Sequence, residues 1–262
     1  MSEAASHPFP GAHQAPIHEV ALPLEGAAEG RLEIHGGTAR LRIRAAPGSQ
    51  DLLRSRFTGA APEIFAAGGR VTVRARFGVE DWLRTWVGYG LEEVRAFFTG
   101  GPPPPPPPPD SGAGVRGDDW FQRWFLGDAY SGELLLTDAV PWRVSLRGGA
   151  RDLEADLRGL KLTGLELTGG AAGMVVELPR PSGLVPVRLR GGAASITFRR
   201  PRGVAARVEV LGGMARFRFD QQELGGVGGR TRLQSPDFAE AKDRYELDIA
   251  GGASDLVVEE SD

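Results

Sequence analysis

A Gly-Gly pair with alternating apolar residues on both sides recurs along this chain, and it constrains the fold more than any other feature. The motif is clearest at Gly191-Gly192, within PVRLRGGAASITF. Apolar residues stand four and two positions before the first glycine, and five and seven positions after it. A period of two indicates a β-strand with one buried face. Each motif therefore predicts two strands joined by a tight corner, where glycine accepts a positive φ.

Five copies of this motif keep the same phase. The first four are 21, 22 and 21 residues apart, and the fifth follows after 39 residues, with Gly228-Gly229 as a degenerate corner between them. Their inward positions are Val144, Leu146, Leu153 and Ala155; Leu165, Leu167, Met174 and Val176; Val187, Leu189, Ile196 and Phe198; Val208, Val210, Phe217 and Phe219; and Leu247, Ile249, Leu256 and Val258. A fixed period of about 20 residues marks a solenoid, whose rungs bury their apolar faces by stacking on their neighbours. The sequence predicts an all-β, single-stack β-solenoid with Gly-Gly-cornered rungs.

The motif also occurs near the amino terminus. Leu32 and Ile34 precede Gly36-Gly37, with Leu41 and Ile43 after it, and a looser copy surrounds Gly68-Gly69, with Val73 and Ala75 in phase. The sequence therefore predicts the first solenoid strands over 31–78 and the main solenoid over 131–258, as one domain. It further predicts a disordered leader over 1–30 and an acidic tail over 259–262.

The period changes over 79–130, which predicts a helical insertion. Apolar residues recur there at helical spacing, and eight consecutive prolines at 102–109 predict an exposed polyproline II linker. Four of the five tryptophans lie in this insertion: Trp82, Trp86, Trp120 and Trp124. The helices are expected either to cover strand edges of the solenoid or to form a surface that binds a partner or a membrane.

Composition excludes several classes of protein. Cysteine is absent, which excludes disulfides and thiolate metal sites. No apolar run reaches the ~20 residues of a membrane-spanning helix, and the leader lacks the features of a signal peptide, so the expected location is cytoplasmic, with peripheral membrane contact as an alternative. The leader holds His7, His13 and His18, without the spacing of metal ligands. No cofactor or metal is predicted.

Outward positions of the repeat carry mixed charges. Asp152, Glu154 and Asp156 alternate along one predicted strand, and together with Glu177 on the next rung they could share a cation. A carbohydrate-active β-helix enzyme using these carboxylates is a minor alternative. The competing interpretation is a solvated face on which arginines of adjacent rungs pair with carboxylates.

No catalytic residues are predicted. His35 is the sole histidine between residues 19 and 262, and the chain has no Gly-x-Ser-x-Gly elbow. The stretch GGVGG at 225–229 lacks the Lys-Ser/Thr of a phosphate loop.

Charge is unevenly distributed along the rungs. Nine arginines and one acid lie between Arg180 and Arg218, whereas nine acids and two bases lie between Asp237 and Asp262. A basic band favours polyanions, but aromatic residues for base stacking are missing, so nucleic acid is an unlikely partner. Pairing with the acidic end of another copy is the alternative. The candidate interaction surface comprises the four insertion tryptophans with Arg188, Arg190, Arg199, Arg200 and Arg202.

The regular portion resembles the toast-rack β-repeat family of bacteria, also described as putative-adhesin repeats and related to the carboxyl-terminal domains of envelope-stress proteins of the LiaF and LiaG kind. The resemblance is carried by WRVSLRGGARDLEADLRGLKLTGLELTGGAAGMVVELP, VPVRLRGGAASITFRRPRGVAARVEVLGG and DRYELDIAGGASDLVV, which span a region of about 120 residues. It implies a non-catalytic β-solenoid linked to sensing or scaffolding at the cell envelope.

The sequence thus favours a non-enzymatic interaction or scaffold module with an unknown protein partner. The alternative is a peripheral membrane protein held by the Trp-rich insertion, and self-association is a further option.

Overall fold

The chain forms β-strands almost throughout the part that the structure describes. A computed structural model describes residues 16–36, 40–58, 61–74, 131–148, 150–169 and 171–261, in which there is no helix. In chain order the strands are β1 (Ile17–Pro23), β2 (Gly30–His35), β3 (Arg40–Ala46), β4 (Asp51–Thr58), β5 (Glu63–Ala67), β6 (Arg70–Arg74), β7 (Ser131–Thr137), β8 (Pro141–Arg147), β9 (Ala150–Asp156), β10 (Lys161–Thr168), β11 (Ala171–Glu177), β12 (Leu184–Arg190), β13 (Ala193–Pro201), β14 (Ala205–Leu211), β15 (Met214–Phe219), β16 (Gln222–Leu224), β17 (Arg230–Gln234), β18 (Arg244–Ala250) and β19 (Ala253–Ser261). The predicted helical insertion and its polyproline linker lie outside the described residues.

These strands form two sheets, A and B, that enclose one core. The spatial order in sheet A is β1-β4-β7-β3-β9-β11-β13-β19-β15-β16, and in sheet B it is β17-β14-β18-β12-β10-β8-β2-β6-β5. Interior neighbours run parallel, whereas β1, β4, β5, β16 and β17 extend the sheets with antiparallel pairs. The prediction of an all-β fold is confirmed, with two mixed sheets.

The chain crosses from sheet B to sheet A at six Gly-Gly corners, and we call the two strands joined by one such corner a rung. Six rungs result: β2/β3, β8/β9, β10/β11, β12/β13, β14/β15 and β18/β19. Every predicted inward side chain of these rungs is buried, and none is more than 4% exposed. Burial of one such side chain stabilises the fold by about 1.5–3 kcal/mol. The alternating apolar residues that define the motif therefore form the core and supply much of its stability.

The rungs do not stack in sequence order. The Gly191 amide donates a hydrogen bond to the carbonyl oxygen of Ala250 (2.9 Å), and the Gly251 amide donates to that of Leu211 (2.9 Å). The last rung, β18/β19, therefore lies between β12/β13 and β14/β15. The corner at Gly212 therefore does not lie directly against the corner at Gly191.

One predicted corner is a hairpin instead. Gly68-Gly69 joins the antiparallel strands β5 and β6 within sheet B, and both glycines have positive φ (54° and 79°), as a two-residue hairpin turn requires. The predicted degenerate corner does lie in the row of corners, because Gly229 accepts a hydrogen bond from the Gly212 amide (3.0 Å).

The ends of the described chain are more ordered than the sequence predicts. Strand β1 lies within the range expected to be a disordered leader, and β19 continues through Ser261, into the predicted tail. Trp142, at the start of β8, is fully buried, and its indole Nε1 donates to the carbonyl oxygen of Thr137 (2.8 Å). Gly30 leaves room for this ring, because a Cβ there would lie 2.6 Å from it.

Candidate functional site

The segment 75–130 stands where the other rungs have a glycine corner. Strand β6 pairs in parallel register with β2 up to His35 and Arg74, and β7 pairs with β3 from Arg40 and Ser131 onward. Strands β2 and β3 are joined through the corner at Gly36, so the segment that joins β6 to β7 starts and ends at the same edge of the two sheets. The candidate residues Trp82, Trp86, Trp120 and Trp124 belong to this segment and lie outside the described residues.

Exposed apolar side chains lie beside the two ends of this segment. Five large hydrophobic residues of the described chain are exposed: Ile17 (54%), Val20 (36%), Phe65 (53%), Leu184 (49%) and Leu211 (37%). Ile17 pairs with Thr58, which pairs with Ser131 at the start of β7. Arg74 ends β6, and its guanidinium lies over the Phe65 ring, 5.9 Å from the centre of that ring. Exposed apolar residues of β1 and β5 thus lie on the outermost strands near the points where the described chain stops before this segment and resumes after it.

The outer face of sheet A carries paired charges rather than a cation site. Arg42 donates to the Glu154 carboxylate (3.0 Å), Arg40 lies 3.8 Å from that of Asp152, and Arg199 lies 3.0 Å from that of Glu177. No cluster of three acidic or histidine side chains suited to a metal occurs in the described ranges. The pairing of arginine with carboxylate across rungs matches the predicted solvated face.

Asp156, the third carboxylate of the predicted cation site, is bound by Arg158 in the loop that leads from β9 to β10. The Arg158 guanidinium donates two hydrogen bonds to it (2.9 and 2.8 Å). These bonds hold the pKa of Asp156 below its ordinary value, and partial burial opposes them to a smaller extent. The ionised form therefore stabilises the folded chain at pH values above the unfolded pKa of about 4, and this contribution is lost as the pH falls through the folded value.

Asp156→Asn is therefore expected to be less stable than the wild type at pH 7, by at most about 1 kcal/mol because the pair is partly exposed. The difference in free energy of unfolding between the wild type and Asp156→Asn should become smaller below about pH 4, because Asp156 of the wild type is then protonated. Urea denaturation at a series of pH values measures it, with Glu166→Gln as a control, since Glu166 has no ion-pair partner among the described residues. A difference that is constant from pH 7 to pH 3 would contradict the assignment.

Arginines of the basic band form ion pairs with carboxylates of the acidic end of the same chain. In sheet A, Glu259 of β19 binds Arg199 of β13 (2.9 Å) and Arg218 of β15 (2.7 Å). In sheet B, Asp248 of β18 binds Arg190 of β12 (3.1 Å). Insertion of the acidic rung between two basic rungs thus brings together charges that are far apart in sequence.

The predicted surface arginines do not share one face. Arg188 and Arg190 lie on the outer face of sheet B, Arg199 lies on that of sheet A, and Arg202 is exposed in the turn after β13. Arg200 is only 2% exposed, so it contributes little to any surface.

Arg200 is instead a structural residue. It binds the Asp220 carboxylate through two hydrogen bonds of 2.7 Å, donates from Nε to the carbonyl oxygen of Val204 (2.8 Å) and lies over the Phe219 ring. Its position nine residues after Gly191 has the parity of the inward-facing positions, which was the sequence signal for burial.

A shallow surface depression of about 360 Å³ lies on the return loops opposite the corners. Its lining residues are Arg158, Pro179, Arg180, Pro201, Arg202 and Ser261. Three of them are arginines of successive return loops, the loops that lead from sheet A back to sheet B. The Gly-Gly motif does not include these positions. Arg158 is already bound to Asp156, and Arg180 donates to the carbonyl oxygen of Arg202 (3.4 Å).

His35 has no catalytic neighbour in the described part of the chain. Its Nε2 lies 3.6 Å from a carboxylate oxygen of Glu33 on the same strand.

Among the described residues, no helix is long and apolar enough to cross a membrane.

Comparison with known proteins gives one structural likeness. A crystal structure described as that of a "putative cell adhesion protein" from Clostridium sporogenes superposes with a TM-score of 0.64 at 14% sequence identity. The match covers 95% of this chain and 100% of that one. The likeness shows that the two proteins share an all-β fold. No family model and no curated protein matches the chain.

Proposed function

We propose that this chain is a non-catalytic interaction module, in which a β-solenoid scaffold presents the segment 75–130 to a protein partner. The observation that carries the proposal is the insertion point. Pairing on either side of the segment keeps the register of the neighbouring rung, from Arg70 to Arg74 and from Ser131 onward. A short glycine corner serves the other rungs, so stacking does not require this segment, and binding residues are commonly placed on such loops.

Two further observations support an interaction role. The structural neighbour from Clostridium sporogenes is described as a cell adhesion protein and is similar over nearly the full length of both chains. The carboxylates Asp152, Glu154 and Asp156, which would be the first candidates for catalysis, have arginine partners. We include the resemblance to toast-rack repeats of the LiaF and LiaG kind, with a role at the bacterial envelope, in the proposal.

The experiment replaces residues 75–130 by the corner sequence Gly-Gly-Thr-Ala that stands at 36–39. The shortened variant is expected to fold with a circular dichroism spectrum typical of β-structure and a Tm close to that of the intact chain, because it restores the corner of its neighbour. Loss of folding would mean that the segment belongs to the scaffold, and would contradict the proposal.

A second measurement tests whether the segment presents its tryptophans. Trp142→Phe removes the buried tryptophan, so the remaining emission comes from Trp82, Trp86, Trp120 and Trp124. An interaction surface is expected to be quenched readily by acrylamide and to become protected when a partner binds. Strong protection in the isolated chain that is lost in Phe65→Asp, but not in the control Leu184→Asp, would show that the segment covers the scaffold instead.

Vesicle flotation separates protein binding from membrane binding. The intact chain and the shortened variant are compared on anionic vesicles at low salt. We expect that neither floats, whereas flotation of the intact chain alone would replace the proposed protein partner by a lipid surface.

A further inference from the structure

The last rung of the chain occupies an interior slot whose two walls match each other. Leu247 of β18 is in register with Val187 of β12 on one side and Val208 of β14 on the other. In sheet A, Leu256 of β19 is likewise in register with Ile196 and Phe217. The strands that border the rung therefore present the same positions of the repeat to it.

The rest of the stack does not depend on this rung for its register. Gly191 and Gly212 are 21 residues apart, which is the spacing of the rungs that are adjacent both in sequence and in space. The β12/β13 and β14/β15 rungs can therefore pair with each other directly when β18/β19 is out, in the order that the sequence repeat alone predicts. Direct pairing of these two rungs would keep the register of both.

Charge distinguishes β18/β19 from the other rungs as the occupant of the slot. Its carboxylates bind arginines of both walls: Glu259 binds Arg199 and Arg218, Asp255 binds Arg216, Asp248 binds Arg190, and Glu246 binds Arg207. An identical rung from a second copy of the chain carries the same carboxylates in the same register. Since the contacts are equivalent, exchange between copies costs little apart from association.

The connection to this rung has the properties of a hinge. Residues 235–243 lead from β17, at the edge of sheet B, past β14 to the start of β18. It is held at Ser235, whose hydroxyl accepts a hydrogen bond from the Ala206 amide (3.0 Å), and at Phe238, whose ring contacts the guanidinium groups of Arg207 and Arg244. At its end, the Asp243 carboxylate accepts a hydrogen bond from the amide of Gly183, which precedes β12 (2.6 Å). Most of its other side chains are exposed.

We propose that β18/β19 exchanges between two copies of this chain, with the rung of each copy filling the slot of the other. The inference takes the proposed interaction function further, by naming a second copy as a partner, and it uses the slot rather than the segment 75–130. At low concentration the tethered rung of the same chain has the advantage, and dimers form as the protein concentration rises.

Cysteine pairs test the exchange, because the natural chain has no cysteine. Thr197 of β13 is in register with Val257 of β19 on one side and with Val175 of β11 on the other. Neighbouring strands lie about 4.8 Å apart, within the range that a disulfide spans. The test variant is Thr197→Cys with Val257→Cys, and the matched control is Thr197→Cys with Val175→Cys.

Both variants are incubated at increasing protein concentration in mild urea, returned to buffer, oxidised and run on a non-reducing gel. The test pair is expected to give covalent dimers in a proportion that rises with concentration, while the control pair remains cross-linked within single chains. Cross-links within single chains for both pairs at every concentration would overturn the proposal.

The unmodified protein provides a measurement that does not depend on these substitutions. Size-exclusion chromatography with light scattering, after the same incubation, is expected to show a dimer that dissociates slowly on dilution. Glu259→Gln weakens the hold on the rung and should speed the exchange, whereas Glu154→Gln, outside the slot, should not. A monomer at all concentrations would overturn the exchange and leave the role proposed for the segment 75–130 standing, because that is tested on the shortened variant.

Discussion

Gly251→Ala is expected to lower the free energy of unfolding by about 3 kcal/mol or more. Gly251 has a φ of 137°, which side-chain-bearing residues rarely adopt, and a Cβ there would overlap the carbonyl oxygen of Gly191 in the adjacent corner. Relief of the overlap would move the two corners apart and stretch the hydrogen bond from the Gly191 amide to the carbonyl oxygen of Ala250. For a chain of this size the loss corresponds to a fall in Tm of roughly 6–12 °C.

The second glycine of the same pair is the matched control. Gly252 does not have the left-handed backbone, and a Cβ on it would meet its nearest neighbour, the carbonyl oxygen of Gly213, at 3.8 Å, an ordinary contact. Gly252→Ala should change stability by no more than about 0.5 kcal/mol. Thermal unfolding followed by circular dichroism compares the two, and equal effects would show that the stacked corners do not constrain the fold.

Asp220→Asn is expected to destabilise the chain by roughly 2–3 kcal/mol, because it removes the carboxylate that binds the buried Arg200 guanidinium through two hydrogen bonds and leaves only the longer contact with Glu260, at 3.7 Å. Asn is a suitable replacement because Asp220 has a φ of 53°, which asparagine tolerates. The change therefore removes the charge and preserves the turn. Guanidinium chloride denaturation at pH 7 measures the effect.

Two variants show whether the burial of Arg200 is the cause. Arg199→Met breaks ion pairs with two carboxylates, but Arg199 is 42% exposed, so its loss should cost no more than about 1 kcal/mol. Adding Arg200→Met to Asp220→Asn removes the buried charge, which then has only the 3.7 Å contact with Glu260, and should restore part of the lost stability. A double variant that is less stable than Asp220→Asn alone would contradict this account.

The positions that build the core could be predicted from the sequence because they depend on local geometry. In a strand, alternate side chains point to the same face, so the phase of Val187 and Leu189 before a corner, and of Ile196 and Phe198 after it, determines burial. The same rule applies to residue 200, where Arg200 follows Leu157 and Leu178 at the same place in the two preceding rungs. The charge of Arg200 favours an exposed position, whereas its phase indicates a buried one, and the phase is correct.

The order of the rungs could not be predicted because every rung has the same pattern. Val208 fits beside either Val187 or Leu247, so hydrophobic phase does not choose between them. Long-range charge pairs such as Arg199 with Glu259 and Arg190 with Asp248 favour the observed order. The uneven charge was visible in the sequence, but whether the acidic end meets the basic band of its own chain or of another copy was not.

The candidate site was predictable in part. The change of period after residue 78 located the Trp-rich insertion, but its place at a corner depends on the pairing of β6 with β2 and of β7 with β3. Gly68-Gly69 obscured that pairing, because a hairpin turn and a corner contain the same two glycines. Likewise, only the sheet topology places the exposed Ile17 and Phe65 on the outermost strands near the two ends of the insertion.

The interior place of β18/β19 also bears on biosynthesis. A polypeptide leaves the ribosome from its amino terminus, so the layer beneath β14/β15 is delivered after every strand that it contacts. Translation that stops before Arg244 does not yield a shorter protein with one edge missing, but one with a gap in its interior or with its layers rearranged. Chaperones and proteases that recognise unpaired strand edges can thereby distinguish an incomplete chain from a finished one.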